Sequence, residues 1–299
     1  MKLDLSGLRQ VELSDLPLFE KHLKKTAGQS SESCFANLFM YADSYGYEFV
    51  DLGDRLVVYE RPMRQIHYPV GKWTTPAELY KISKAFMDAG LTDGGVYDVP
   101  EEFLDRHEDC DRHFEIEYDE GSIDYLFSIE KIATCSGPKL KKKYNLVKQF
   151  QANWPFAEVR QIKGDEIKTA LKLVRDLNSH VVQCQFIDEE TAAITRGLKN
   201  FDALKLGGII LYAEKNYPVG MAVYSSLYSD TIDVHFEKAD HAVKGAAQTM
   251  TRLLALELRG KAKFINCEQD YNDKDLRHTK RSLDPERFFK RYYLHTITE

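Results

Sequence analysis

Apolar and polar positions along this chain switch between a period of two and a period near 3.6, and the switches mark the elements. In VRQIKGDEIKTALKLV, residues 159–174, a short strand ends in Arg-Gln and a polar start follows at Asp165-Glu166. Ile167, Leu171 and Val174 then recur at helical spacing. Residues 8–23, LRQVELSDLPLFEKHL, read the same way, with Ser14-Asp15 as the start and Leu16, Phe19 and Leu23 on the apolar face. Further on, LGDRLVVYE (52–60) resembles LGGIILYAE (206–214) as a second pair of strands. Both matches lie about 150 residues apart, which predicts two copies of one α/β unit.

The second half reads as a strand at 159–162, a helix from Asp165, helical residues at 188–199, and strands at 209–214, 219–227 and 231–237. Turns at Lys215–Pro218 and Tyr228–Asp230 make the last three an antiparallel meander. A helix follows from Gly245 with Met250, Leu253, Leu254 and Leu258 on one face; it ends at Arg259-Gly260, and FINCEQ is the next strand. The first half has a helix starting at Thr75-Pro76, closing at Gly90, then a strand at 96–99. Residues 101–130 carry twelve acids against two arginines, whereas KLKKKYNLVKQF (139–150) has five lysines and no acid. Leu140, Tyr144, Val147 and Phe150 fall on one face, so this segment is expected to be an amphipathic helix bridging the copies. The expected organisation is therefore α/β with mixed sheets: an N-terminal unit at 1–135, the bridging helix at 136–150, and a C-terminal unit at 151–299 carrying the functional cleft.

Composition narrows the class. The 299 residues are 43% hydrophobic, enough for well-buried cores in two domains. A net charge of -6 gives no global reason for a nucleic-acid coat. MKLDLSGLRQVELSD lacks a basic start and an apolar core, and LGGIILYA is far shorter than a membrane span, so no integral membrane association is expected. Five scattered cysteines without a C-x-x-C fit reduced thiols and a cytoplasmic location. His107, Cys110 and His113 in HEDCDRH are spaced like metal ligands but lack a fourth, so no metal is assigned. H-E-x-x-H, G-x-S-x-G and a full P-loop are absent.

Two stretches carry candidate chemistry. In HAVKGAAQ (241–248), Lys244, Gly245, Ala246 and Ala247 bare the backbone at a helix start, where free N–H groups and the dipole suit an anion. The alternative is that small residues there allow close helix packing. In FINCEQDYNDKDLRHTK (264–280), an apolar strand gives way at once to carboxylates, amides and cations.

The strand order and the Gly245-Ala246-Ala247 turn resemble the GCN5-related N-acetyltransferase (GNAT) fold, although the Gln or Arg that opens the family's loop is absent here. A narrower resemblance covers more of the chain. Gly137, Lys142, Lys143, Asn145 and Phe150, then Ile265, Asn266, Glu268, Gln269, Asp270, Leu276, Arg277, Lys280 and Pro285, are similar to the paired motifs of phosphatidylglycerol lysyltransferase C-terminal domains and their soluble relatives. Cys135 stands where Leu is usual, and Tyr271-Asn272 replace Leu-Gly. The resemblance implies a tandem GNAT-like fold in which the strands around the cofactor helix splay at the reaction centre. Glu268 and Asp270, with Glu237 at the end of the preceding strand, are then candidate bases or holders of an amine, and Asn266 and Gln269 candidate donors. Arg277, Lys280, Lys142, Lys143 and Asn145 are candidate phosphate or substrate contacts; the structural alternative is that Arg277 pairs with Glu268 or Asp270. The implied function is transfer of an aminoacyl group from aminoacyl-tRNA to an amine or hydroxyl acceptor, a small molecule or peptide. The alternatives are acyl transfer from coenzyme A and a non-catalytic module for an anionic ligand.

Overall fold

The computed structural model describes residues 3–26, 30–179, 185–228 and 230–298. It divides into two units, Met1–Ile123 with Phe289–Glu299, and Asp124–Phe288. The first contributes strands β1 (Arg9–Gln10), β2 (Tyr47–Asp51), β3 (Arg55–Glu60), β4 (Gln65–His67), β5 (Val70–Gly71), β6 (Gly95–Pro100) and β7 (Phe114–Tyr118). Its helices are α1 (Leu16–Leu23), α2 (Phe35–Met40), α3 (Ala42–Tyr45), α4 (Pro76–Asp88) and α5 (Glu101–Arg106). The second contributes β8 (Asp124–Ser128), β9 (Glu158–Gln161), β10 (Gly207–Glu214), β11 (Tyr217–Tyr228), β12 (Thr231–Ala239), β13 (Phe264–Asn266) and β14 (Arg287–Phe289). Its helices are α6 (Ile129–Thr134), α7 (Pro138–Asn153), α8 (Glu166–Asn178), α9 (Gln185–Lys199), α10 (Ala246–Leu258) and α11 (Lys274–Ser282). The chain then returns to the first unit with β15 (Arg291–Thr296).

Each unit holds one mixed sheet. The order is β1-β2-β3-β4-β6-β15-β7 in the first, with β5 beside β3, and β9-β10-β11-β12-β13-β8-β14 in the second. Four antiparallel strands, a helix and a parallel strand recur in both: α4 joins parallel β4 and β6, and α10 joins parallel β12 and β13. The duplication is thus real, but one of the sequence matches is displaced. β10 lies beside β9 as β2 lies beside β1, so the counterpart of 206–214 is β2 rather than the LGDRLVVYE strand. The strands share only a run of β-branched and aromatic residues, which any buried strand tolerates.

The unit boundaries also differ from the expected halves. Residues 124–135 and the basic helix α7 belong to the second unit, because β8 pairs with β13, and α7 packs on α10. Sequence order hides this: β8 precedes the rest of its sheet, just as β15 comes to the first sheet last. Among the described residues no helix is long and apolar enough to cross a membrane.

The second core forms where one face of the sheet meets α10, α6 and α7. Ile209, Leu211, Val219, Ala222, Ile232, Val234 and Ile265 pack against Met250, Leu254 and Leu258, with Ile129, Ile132 and Phe150 closing the sides. Burying each of these larger side chains stabilises the unit by roughly 1.5–3 kcal/mol. α4 starts as its sequence predicts, with a capping box between Thr75 and Glu78 and Pro76 in the first turn.

Candidate functional site

In the second sheet β12 and β13 part after three paired positions. These strands pair only from Thr231–Phe264 to Asp233–Asn266; β13 then stops while β12 runs on to Ala239. On the other edge of β12 the register with β11 slips, Val223 facing Phe236 and Tyr224 facing Val234, which leaves His235 as the extra residue of a bulge. A bulge bends its strand and re-aims the side chains beyond it. Asp233 before the bulge and His235 at it are buried polar residues between apolar neighbours. After it, Glu237 is exposed and its carboxylate accepts a hydrogen bond from the Thr251 hydroxyl of α10.

Across the split, Glu268 takes a left-handed backbone, φ 57°, uncommon for a residue with a side chain. Asn266 Oδ1 accepts its N–H at 2.8 Å, and its carbonyl accepts the Tyr125 N–H of β8 at 3.3 Å. So held, its Oε1 lies 3.7 Å from His235 Nδ1, and His235 Nε2 is 2.9 Å from Ser225 Oγ of β11.

The rest of the polar stretch ties itself down. Asp124 accepts from Asn266 Nδ2 at 2.8 Å and Gln269 Nε2 at 2.9 Å. Asp270 accepts two bonds from the Arg277 guanidinium, both 2.8 Å, the Tyr125 hydroxyl at 2.5 Å and the Asn272 N–H at 2.9 Å. Burial alone would raise the Asp270 pKa; Arg277, Tyr125 and Asn272 together outweigh it and hold the carboxyl below its ordinary value. Lys280 donates to the carbonyls of Cys267, at 2.6 Å, and Gln269. Burial lowers its pKa against the pull of nearby acids. Asn266, Gln269 and Asp270 are buried, so these residues brace the loop after β13, with Arg277 and Lys280 as its outer clamps.

Of the acids on these strands and the loop after β13, Asp233 and Asp270 are buried, whereas Glu237 is exposed and Glu268 half-buried. Burial pushes the Glu237 carboxyl up to about 7, with the Thr251 bond opposing, yet the side chain stays open to solvent. The neighbouring Cys267 thiol is raised by burial first, then by Glu237, Asp233 and Glu268, with Lys280 opposing; the charges of both strands converge there.

The small-residue turn has a different occupant. Gly245 caps α10 at φ 83°, and a Cβ on it would lie 2.4 Å from the Leu146 carbonyl and 3.0 Å from Phe150 Cβ, both on α7. Ala246 is buried in the core, Ala247 is half-buried, and only Lys244 is exposed. Close packing against α7 accounts for the missing side chains. On α7, Lys142 and Asn145 are exposed, and Lys143 is half-buried with its pKa lowered by burial. Lys131 and Lys139 both reach Asp284 just beyond α11, at 2.6 and 3.0 Å, linking the basic helix to α11. The HEDCDRH residues disperse: His107 packs on Phe103, His113 on Tyr80, and Cys110 is buried.

Sequence reasoning placed Glu237 and Glu268 together but missed Asp124, Tyr125, Ser225, Asp233, His235 and Cys267. One signal was available: in TIDVHFE, polar residues fall at every second position of an apolar strand.

The family model for the C-terminal region of phosphatidylglycerol lysyltransferase matches residues 24–295. Comparison with curated proteins gives no match. Among solved structures, a conserved protein of unknown function from Bacteroides thetaiotaomicron superposes with a TM-score of 0.90 at 24% identity, over 97% of this chain and 99% of that one. L-PGS from Bacillus licheniformis superposes at 0.66 and 12% identity, over 98% and 94%. FemX does so at 0.62 and 8%, over 97% of each chain. These likenesses concern the fold, which is tandem and GNAT-like.

Proposed function

This chain belongs to the phosphatidylglycerol lysyltransferase C-terminal family, an acyltransferase type, and on that premise we propose that its second unit transfers an aminoacyl group from aminoacyl-tRNA to an amine or hydroxyl acceptor. The observation that carries the reading is Glu237, a solvent-open carboxyl with a pKa of about 7 at the parting of β12 and β13. A base poised near neutral pH accepts the acceptor's proton without being fully protonated beforehand. The freed nucleophile attacks the ester carbonyl, and the edge of β12 beyond Asp233, no longer laddered to β13, supplies backbone N–H groups toward the oxyanion. The tetrahedral species then collapses, and the tRNA ribose hydroxyl leaves with a proton.

Two features favour an aminoacyl ester over acyl-CoA as donor. The turn at Gly245 packs closely on α7, a Cβ there falling 2.4 Å from the Leu146 carbonyl, and the Gln or Arg that opens the GNAT loop is absent. The lysines of α7, by contrast, include exposed Lys141 and Lys142 beside half-buried Lys143, cations of the kind that bind a nucleic-acid backbone. We assign Lys141, Lys142 and Lys143 that role, and Glu268 the acceptor side of the split.

The test is transfer of label from a pool of charged tRNAs to primary amines, peptides and phosphatidylglycerol vesicles. Protein-dependent product that disappears with Glu237→Gln supports the reading. Turnover with acetyl-CoA and none with tRNA would replace it by the coenzyme A reading. Ligand binding without turnover from either donor would leave a binding module.

A further inference from the structure

We infer that Thr251 of α10 is the positioning residue of Glu237: its one hydroxyl proton serves the ionised carboxylate and turns to the Ala247 carbonyl when Glu237 takes up a proton. The inference rests on Glu237 as the base of the aminoacyl-transfer reading. It deepens that reading by saying how the base is held in both of its protonation states.

The placement comes from the bulge. Side chains alternate across a strand, so Ile232 and Val234, both in the core shared with α10, would be followed on that face by Phe236. His235 is the extra residue, so the alternation slips by one and Glu237 takes that face instead. The cross-strand partners agree: Tyr224 lies opposite Val234 and Ala222 opposite Glu237, and both belong to the same core. Thr251, half-buried on α10, meets the carboxylate there.

A threonine hydroxyl carries one donor hydrogen and two acceptor lone pairs. The Thr251 oxygen reaches two acceptors, the Glu237 carboxylate and, one turn back on α10, the Ala247 carbonyl at 3.1 Å. Ionised Glu237 is the stronger acceptor, so the hydrogen points to it. Once Glu237 has taken the acceptor's proton it presents an O–H of its own. The threonine hydrogen then turns to the Ala247 carbonyl, and the threonine oxygen accepts the carboxyl proton. Thr251 carries one proton before and after, so it relays none and touches no substrate atom. Its bond to the ionised form opposes burial, which raises the carboxyl pKa. The other charged and titratable groups around the pair are Cys267 beside β13, whose thiol Glu237 raises, and two cations engaged elsewhere. Lys238 pairs with Glu190 of α9 at 2.7 Å, and Arg252 donates to the Ala133 carbonyl at 3.1 Å.

The experiment is carbon-13 nuclear magnetic resonance on the full chain labelled at glutamate carboxyls and threonine methyls, for wild type, Thr251→Ser and Thr251→Val. Glu237→Gln assigns the carboxyl signal. Wild type and the Ser variant, which keeps the hydroxyl, should titrate at Glu237 at about pH 7. The Val variant keeps the shape and loses the hydroxyl. Its midpoint should rise by about one pH unit, the worth of one hydrogen bond to a charged group. The wild-type Thr251 methyl signal should titrate with the same midpoint as Glu237, and Glu237→Gln should flatten it. In amine aminoacylation the rising limb of the Val variant should move up with its midpoint, at unchanged KM. Thermal melts establish that the variants fold. An unmoved or lowered midpoint in Thr251→Val, a raised one in Thr251→Ser, or a Thr251 methyl signal blind to the titration would overturn the inference. A raised midpoint in the Val variant without any wild-type transfer from charged tRNA would sink the transferase reading and leave the positioning role standing. Glu237-dependent transfer with an unmoved midpoint would do the reverse.

Discussion

Removing Arg277 should destabilise the second unit without touching the reaction. Asp270 is fully buried, and Arg277 supplies two of its hydrogen bonds. Deleting one partner of a buried ion pair costs about 3–5 kcal/mol. Here Asp270 keeps its bonds from Tyr125 and Asn272, and Arg277 is partly solvated, so the lower end applies, about 3 kcal/mol. For a unit of this size that corresponds to a fall in Tm of roughly 6–12 °C. The assay is thermal unfolding followed by circular dichroism for wild type and Arg277→Ala at pH 7 and again in acid. Because the native Asp270 pKa lies below its ordinary 3.8, its stabilisation is complete above that value and is lost as pH falls through the native pKa. The gap between the two proteins must therefore shrink in acid. A variant melting within about one degree of wild type at pH 7, a negligible change by the same conversion, would refute the bracing role. So would a gap that is unchanged at low pH.

Gly245→Ala should lose at least about 1–3 kcal/mol, since its Cβ would overlap the Leu146 carbonyl and the backbone is left-handed; chemical denaturation measures it. Asn266→Ala should cost about 1–3 kcal/mol by stripping a donor from buried Asp124 and the acceptor from the Glu268 turn, read by the same denaturation. Exchanging Lys141, Lys142 and Lys143 for Gln should weaken tRNA binding and flatten its salt dependence by about one unit of slope for each phosphate no longer neutralised, measured by filter binding across a salt series.

Much of the architecture was legible because local rules agreed with it. Thr75-Pro76 with Glu78, the Gly260 stop of α10 and the 209–237 meander are set by caps, turns and period-two runs that act over a few residues. What escaped was non-local. DYLFS reads as a strand, but nothing local says that it pairs with FIN more than a hundred residues later, or that RYYLHT closes the other sheet. The His235 bulge depends on register against β11, which no single strand encodes. The INCEQD stretch stood out for its charge, yet charge alone does not separate a catalytic rim from a brace. Arg277 and Tyr125 converging on Asp270 make most of it a brace. Glu237 looked less conspicuous because it ends an ordinary strand, and its setting comes from the bulge and from Thr251.

The account stands or falls on Glu237 as the base, and the pH dependence of amine aminoacylation by wild type and Glu237→Gln reports on it directly. The raised pKa predicts a wild-type rate that climbs through about pH 7 as the carboxyl ionises. The Gln variant should fold normally, run roughly 100-fold or more slower, and lack that limb. Transfer by Glu237→Gln at the wild-type rate with the same profile would contradict the assignment.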